Sequence, residues 1–386
     1  MYKRTRVFAA ACIGLFLFGM ILITLGSILP LLKTKFEADG LNAGILASIL
    51  PIGILTGSLI FGPIVDRYGY KSLLILSVLI SALALEGLAF TQSLPLLYIC
   101  IFLIGFGGGS INGGTSALVS DISTENKGAS LSILGVFFGI GALGMPLLLG
   151  VLSKYFLYTT ILAAVGFVML LPAIYFFFIA FPSPKQAQGF PLKEGVKLLK
   201  EPALLLTGFF LFFQSGVESL VNNWTTSFLQ DKVRTTHEDA LYALSFYLVG
   251  LTIVRLLLGT LLKKISSFMV LMTSLLLIAS GSFILMYTST YTISFTALII
   301  TGIGLAAGFP VMLGYVGQLY ASLSGTAFSI ALVIALTGNT IINYLFGMIA
   351  DKYSIHYLPL LIIACIICMI FILITIKQKI AGKVKL

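Results

Sequence analysis

Two acids stand well inside long apolar runs of this 386-residue chain, Glu86 and Glu218. Glu218 lies about midway along the run 203–229, and Gln214, Asn222 and Thr225 sit four or seven residues from it. Side chains at that spacing share one helix face, so the run predicts a polar stripe on an otherwise apolar helix. Trp224, the sole tryptophan, follows about a turn and a half later. A carboxylate beside amides and an aromatic ring suits the hydroxyls and the apolar face of a sugar-like solute. Held away from bulk water, such a carboxyl can also bind and release a proton. For Glu86, in the run 72–91, the expectation is an ordinary structural contact.

Further polar candidates are spread over other apolar runs. Thr24 and Ser27 are one turn apart before Pro30, and Ser110 and Asn112 sit among six glycines in the run 94–120. Asn339 and Asn343 share a face at i, i+4, and Pro310 predicts a kink in the glycine-rich run 291–319. Singly, such residues glue helices together; as a set around one cavity, several are expected to touch a solute. Arg255 precedes Gly259 by four residues inside the run 239–262.

The elements that must position these residues follow from composition. The chain is 59% hydrophobic and 9% charged, with mean hydropathy +1.11; a soluble domain carries about a quarter charged residues. A spanning helix needs about 20 mostly apolar residues. Twelve runs qualify: 7–32, 41–65, 72–91, 94–120, 128–153, 157–181, 203–229, 239–262, 267–289, 291–319, 324–350 and 358–377. This predicts an all-α polytopic membrane protein with an N-terminal bundle of six helices over 1–181, a linker over 182–202 and a C-terminal bundle over 203–386. The first run, behind Lys3, Arg4 and Arg6, is longer than a signal-peptide core and reads as a first span. In the linker, Leu192, Val196 and Leu199 are spaced for a short amphipathic helix on the membrane surface.

Lysine and arginine are distributed unevenly. Sixteen fall on the side that holds both termini and six on the other. That bias predicts cytoplasmic termini, multi-pass in a cell inner membrane, and it explains the +10 formal charge without a nucleic-acid partner. The halves also echo each other. A glycine stands four residues before a charged helix end at Gly62–Asp66, Gly259–Lys263, Gly150–Lys154 and Gly347–Asp351. Internal repeats of this kind are common in secondary transporters.

In the loop between the second and third runs, Gly62, Asp66, Arg67, Gly69 and Lys71 resemble the signature loop of the major facilitator superfamily, and the six-plus-six layout covers the chain. The resemblance implies two bundles related by a pseudo-two-fold axis, each with inverted three-helix repeats, that work by alternating access. It also implies that this loop locks the cytoplasmic side. From the residues themselves, Asp121 at the cytoplasmic end of the fourth run is a candidate charge partner for the loop, and Arg255 reads as part of a second-half latch, with substrate contact the alternative. A second basic residue beside Lys71 is missing. Gly105–Asn112, Gly135–Pro146 and Glu218 with Trp224 look like the sugar-transporting, fucose-permease-like branch, although that branch's acids in spans one and four are absent. The drug-antiporter branch fits less well, since its arginine in span four is missing.

Together these readings predict a functional monomer that takes up a small solute, a sugar, by proton symport across the bilayer. Proton-coupled efflux of drugs or amphipathic metabolites is the alternative. No enzyme chemistry is expected. His237 and His356 are isolated, and no metal-ligand spacing, phosphate-binding loop or cofactor motif occurs. The cysteines Cys12, Cys100, Cys365 and Cys368 all lie in apolar runs, where packing is the expected role.

Overall fold

The structure, a computed structural model, describes residues 2–36, 40–123, 127–153, 155–184 and 196–380. The expected helix over Leu192–Leu199 falls largely outside them. The first half of the chain supplies α1 (Arg4–Lys35), α2 (Gly40–Tyr68), α3 (Tyr70–Phe90), α4 (Leu94–Ile122), α5 (Lys127–Leu152), α6 (Tyr158–Val168) and α7 (Leu170–Phe178). The second half supplies α8 (Pro202–Phe228), α9 (His237–Lys264), α10 (Ser267–Tyr287), α11 (Tyr291–Leu305), α12 (Gly308–Leu319), α13 (Ser324–Lys352) and α14 (Leu358–Ile380). Among the described residues, twelve helical stretches are long and apolar enough to cross a membrane. Helices are what hydrocarbon permits, because each backbone donor is satisfied within its own segment.

Two spans are broken, each for the same reason. Proline lacks an N–H and its ring crowds the carbonyl four residues earlier. Pro172 therefore acts on Val168, where α6 ends, and Pro310 acts on Ala306, between α11 and α12. Between α2 and α3 the chain turns at Gly69, whose φ of 82° is the left-handed conformation glycine adopts without strain.

The chain forms two compact units. One contains Met1–Ser123, Leu134–Val196 and Ala321–Ser329; the other contains Thr124–Ile133, Lys197–Tyr320 and Ile330–Leu386. Two short segments thus group with the opposite half of the sequence. Within each unit, helices meet backbone to backbone at glycines. In the first, a Cβ on Gly53 would lie 2.3 Å from the Phe102 carbonyl, and one on Gly105 2.4 Å from that of Leu50. In the second, a Cβ on Gly250 would lie 3.0 Å from the Ile299 carbonyl, and one on Gly302 2.1 Å from that of Tyr247. Each of these four residues follows its counterpart by 197 positions.

Polar contacts repeat too, with Lys232 following Lys35 by 197 positions and bonding the same helix end a turn earlier. Lys35 Nζ donates to the Thr91 carbonyl at the end of α3 (2.9 Å), and Lys232 Nζ donates to Leu285 and Met286 at the end of α10 (2.8 and 2.6 Å). Both ammoniums offset the exposed carbonyls of a helix C-terminus. In the first unit, Ser329 Oγ donates to the Ser58 carbonyl; in the second, Ser132 Oγ donates to the Arg255 carbonyl. Ser58 and Arg255 are again 197 apart, as are Ser132 and Ser329. The repeat is therefore a property of the packing and extends well beyond the few glycines that betray it in the sequence.

Candidate functional site

In the second unit, α8 and α13 bring five polar side chains together. Ser219 Oγ donates to Asn339 Oδ1 (3.1 Å), and Asn223 Nδ2 donates to Asn343 Oδ1 (3.1 Å) and back to Ser219 Oγ (3.1 Å). Asn343 Nδ2 donates to Ser219 Oγ and to the Asn339 carbonyl, and Trp224 Nε1 donates to Asn343 Oδ1 (3.2 Å). The i, i+4 pair on one helix faces an i, i+4 pair on the other. The Trp224 indole meets Phe346 edge-on, with centroids 5.0 Å apart at 87°. Asn223 is exposed and Trp224 half-buried, so the cluster has accessible amides beside an aromatic wall.

Glu218, adjacent to Ser219 on α8, turns to α9. Its Oε1 lies 3.9 Å from Arg255 Nη2, with side chains 21% and 8% exposed. That separation is too long for a hydrogen bond but short enough for strong attraction where water is scarce. Tyr247, fully buried, lies within electrostatic reach of both charges. Its hydroxyl and Arg255 Nε have no hydrogen-bond partner among the described residues. The local arrangement is thus a buried, loosely closed carboxylate–guanidinium pair with spare donors around it.

The predicted α8 stripe does not share one environment. Gln214 is 1% exposed, and its Nε2 donates to the Leu305 carbonyl (3.0 Å) where the tenth span breaks. It serves the backbone that Pro310 disrupts. Asn222 is exposed. Asn339 and Asn343 join the cluster, and the structure adds Ser219, Asn223 and Tyr247 to the expected residues. The signal for Ser219 and Asn223 was their i, i+4 spacing, which matches Asn339 and Asn343. In the first unit, buried Thr24 donates to the Met20 carbonyl of its own helix (2.7 Å), and Asn112 is half-buried. Glu86 departs from expectation: among the described residues no hydrogen bond or ion pair satisfies it.

The signature loop also lies in the first unit. Asp66, fully buried, accepts from Gly325 N (3.2 Å), Thr326 N (2.9 Å) and Thr326 Oγ1 (2.6 Å), the first turn of α13. A carboxylate there meets free N–H groups and the positive end of the helix dipole. Gly62 makes the approach possible, since a Cβ would lie 2.6 Å from the Gly325 carbonyl. Asp121 accepts from the Tyr70 hydroxyl. Arg67 lies 5.7 Å from the Tyr68 ring centroid, and Lys71 5.2 Å from that of Phe177. Arg255 contributes its backbone to the matching contact with Ser132 while its guanidinium faces Glu218. At the position matching Asp66, 197 residues on, stands exposed Lys263, which cannot accept a hydrogen bond. His356, expected to be isolated, pairs with Asp231 at 2.9 Å. No metal-ligand cluster occurs among the described residues.

Twelve spans, a 197-residue structural repeat and a buried ion pair beside an amide cluster define a multi-pass membrane protein of the solute-transporter class. The chain belongs to the Major Facilitator Superfamily, whose family model matches residues 11–331. That membership makes it a transporter and not an enzyme. It is 25% identical over 377 residues to the glucose/mannose transporter GlcP of Bacillus subtilis, covering 92% of this chain and 90% of that one. It is 29% identical over 174 residues to the multi-drug resistance efflux pump PmrA of Streptococcus pneumoniae, 44% of each chain. Among solved structures, the fold is similar to that of the transporter FucP in the outward conformation, with TM-score 0.82, 18% identity and coverage of 96% and 99%. It is also similar to that of the proton:xylose symporter XylE, with TM-score 0.80, 14% identity and coverage of 98% and 96%.

Proposed function

We propose that this protein takes up a monosaccharide across the cell inner membrane by proton symport, acting as a monomer with both termini cytoplasmic. The observation that carries the reading is that α8 alone supplies members of both polar groups, Glu218 paired with Arg255 on α9 and Ser219, Asn223 and Trp224 bonded to Asn339 and Asn343 on α13. The amides donate to and accept from sugar hydroxyls, and Trp224 offers a face to the ring's C–H groups. Arg255 holds Glu218 as a carboxylate when the site is empty. Protonation of Glu218 weakens that attraction and frees Arg255, beside the unpartnered Tyr247 hydroxyl, to bind an acceptor on the solute. Proton and sugar then favour each other's binding, which is the linkage that symport requires. The likeness to GlcP over nearly the whole chain supports a sugar.

In the first unit, Asp66 on the N-terminus of α13 is the latch, released and remade in each transport cycle. Gly62, Arg67, Gly69, Lys71 and Asp121 shape the loop around it. Thr24 and Asn112 are proposed as first-half contacts to the solute.

The partial likeness to PmrA supports the second reading, efflux of amphipathic compounds. Proteoliposomes separate the two. Under an inward proton gradient, labelled monosaccharide accumulates and a lipophilic cation does not; the reverse result replaces sugar uptake with efflux.

A further inference from the structure

The transport site leaves Glu86 unused. It lies on α3 one turn before that helix ends at Phe90, at the end remote from the Asp66 loop. Beside it is a cavity of about 520 Å³ between α3 and the broken sixth span, walled by Ala82, Leu83, Thr160, Ala163, Phe167 and Leu170. Apart from Thr160 and Glu86 itself, this wall is apolar. Leu83 and Phe167 are 69% and 70% exposed; on spanning helices, such surfaces meet acyl chains.

Two sequence features shape the groove. Pro172 breaks the span at Val168, and Gly166 makes room for the acid, since a Cβ there would lie 2.8 Å from Glu86 Oε1. Yet no described side chain answers the carboxylate. A carboxylate one turn from the end of a spanning helix costs less than one at mid-bilayer but still favours a partner at the headgroup level, and a cation from the bilayer satisfies it. An anionic headgroup is repelled, and a small soluble amine gains nothing from the apolar wall. A lipid with a primary ammonium headgroup matches both parts of the site.

We propose that this groove binds such a lipid, its ammonium on Glu86 and an acyl chain along Leu83, Ala163 and Phe167. The test uses full-length protein and native mass spectrometry with phosphatidylethanolamine, phosphatidylcholine and phosphatidylglycerol of identical acyl chains. The unaltered protein retains phosphatidylethanolamine at least fivefold over the other two, and Glu86→Gln removes that preference. Ala163→Phe, which fills the groove and spares the acid, lowers retention of phosphatidylethanolamine. Added phosphatidylethanolamine raises the unfolding midpoint of the unaltered protein but not of Glu86→Gln. Equal retention of the three lipids by the unaltered protein, or a preference that persists in Glu86→Gln, overturns the proposal.

Discussion

Arg255 Nη2 on α9 stands 3.9 Å from Glu218 Oε1 on α8, and both side chains are largely removed from solvent. Deleting one member of a buried pair costs about 3–5 kcal/mol because the other charge is stranded, and the 21% exposure of Glu218 puts this pair toward the lower end. Arg255→Met alone therefore lowers the unfolding midpoint in detergent. Arg255→Met combined with Glu218→Gln recovers most of the loss. A double variant less stable than either single one contradicts the pairing.

Asp66 holds the backbone N–H groups of Gly325 and Thr326. Hydrogen bonds to a charged acceptor contribute roughly 1.5–3 kcal/mol each. Asp66→Asn removes the charge and one acceptor oxygen. Amide exchange at Gly325 and Thr326 should then accelerate by about tenfold or more, while exchange in the middle of α3 stays unchanged. Equal protection in the two proteins dissociates Asp66 from the start of α13.

The glycines differ in what surrounds them. A Cβ on Gly53 or Gly105 meets a backbone carbonyl at 2.3 or 2.4 Å, whereas one on Gly144 meets nothing within 4 Å. Gly53→Ala and Gly105→Ala are expected to destabilise by about 1–3 kcal/mol. Gly144→Ala is neutral or stabilising by up to about 1 kcal/mol through helix propensity. Thermal unfolding of the three variants checks the order, and a costly Gly144→Ala would refute this packing argument.

Trp224 is the only tryptophan, and its Nε1 donates to Asn343. Its fluorescence thus reports on the surroundings of the amide cluster without a second indole to obscure it. A bound monosaccharide shifts or quenches the emission, and Asn343→Ala weakens that response by about tenfold in apparent affinity, the loss of roughly one net hydrogen bond, against little change for Phe371→Ala, exposed on α14. Equal loss in both variants moves the solute away from the cluster.

All twelve spans were legible in the sequence because hydrocarbon leaves a helix few alternatives. The break at Pro310 was also legible, since proline acts on a fixed position four residues earlier. The cluster was only half legible. Asn339 and Asn343 stood out as neighbours on one face, but Ser219 and Asn223 became partners only once α8 met α13. The pairing of Glu218 with Arg255 was hidden, because the two are 37 residues apart and nothing local links them. Arg255 read as a loop-associated charge, and its backbone does bond Ser132, yet its guanidinium turns to the acid. Asp66 was legible as important from its motif, but the α13 N-terminus that it binds is 259 residues away.

The role given to Glu218 is tested most directly by separating exchange from accumulation in proteoliposomes containing Glu218→Gln. A neutral side chain that still hydrogen-bonds lets labelled monosaccharide exchange across the membrane down its own gradient. Without a titrating carboxyl, an imposed proton gradient no longer drives accumulation above equilibrium. Concentrative uptake by Glu218→Gln equal to that of the unaltered protein contradicts the account.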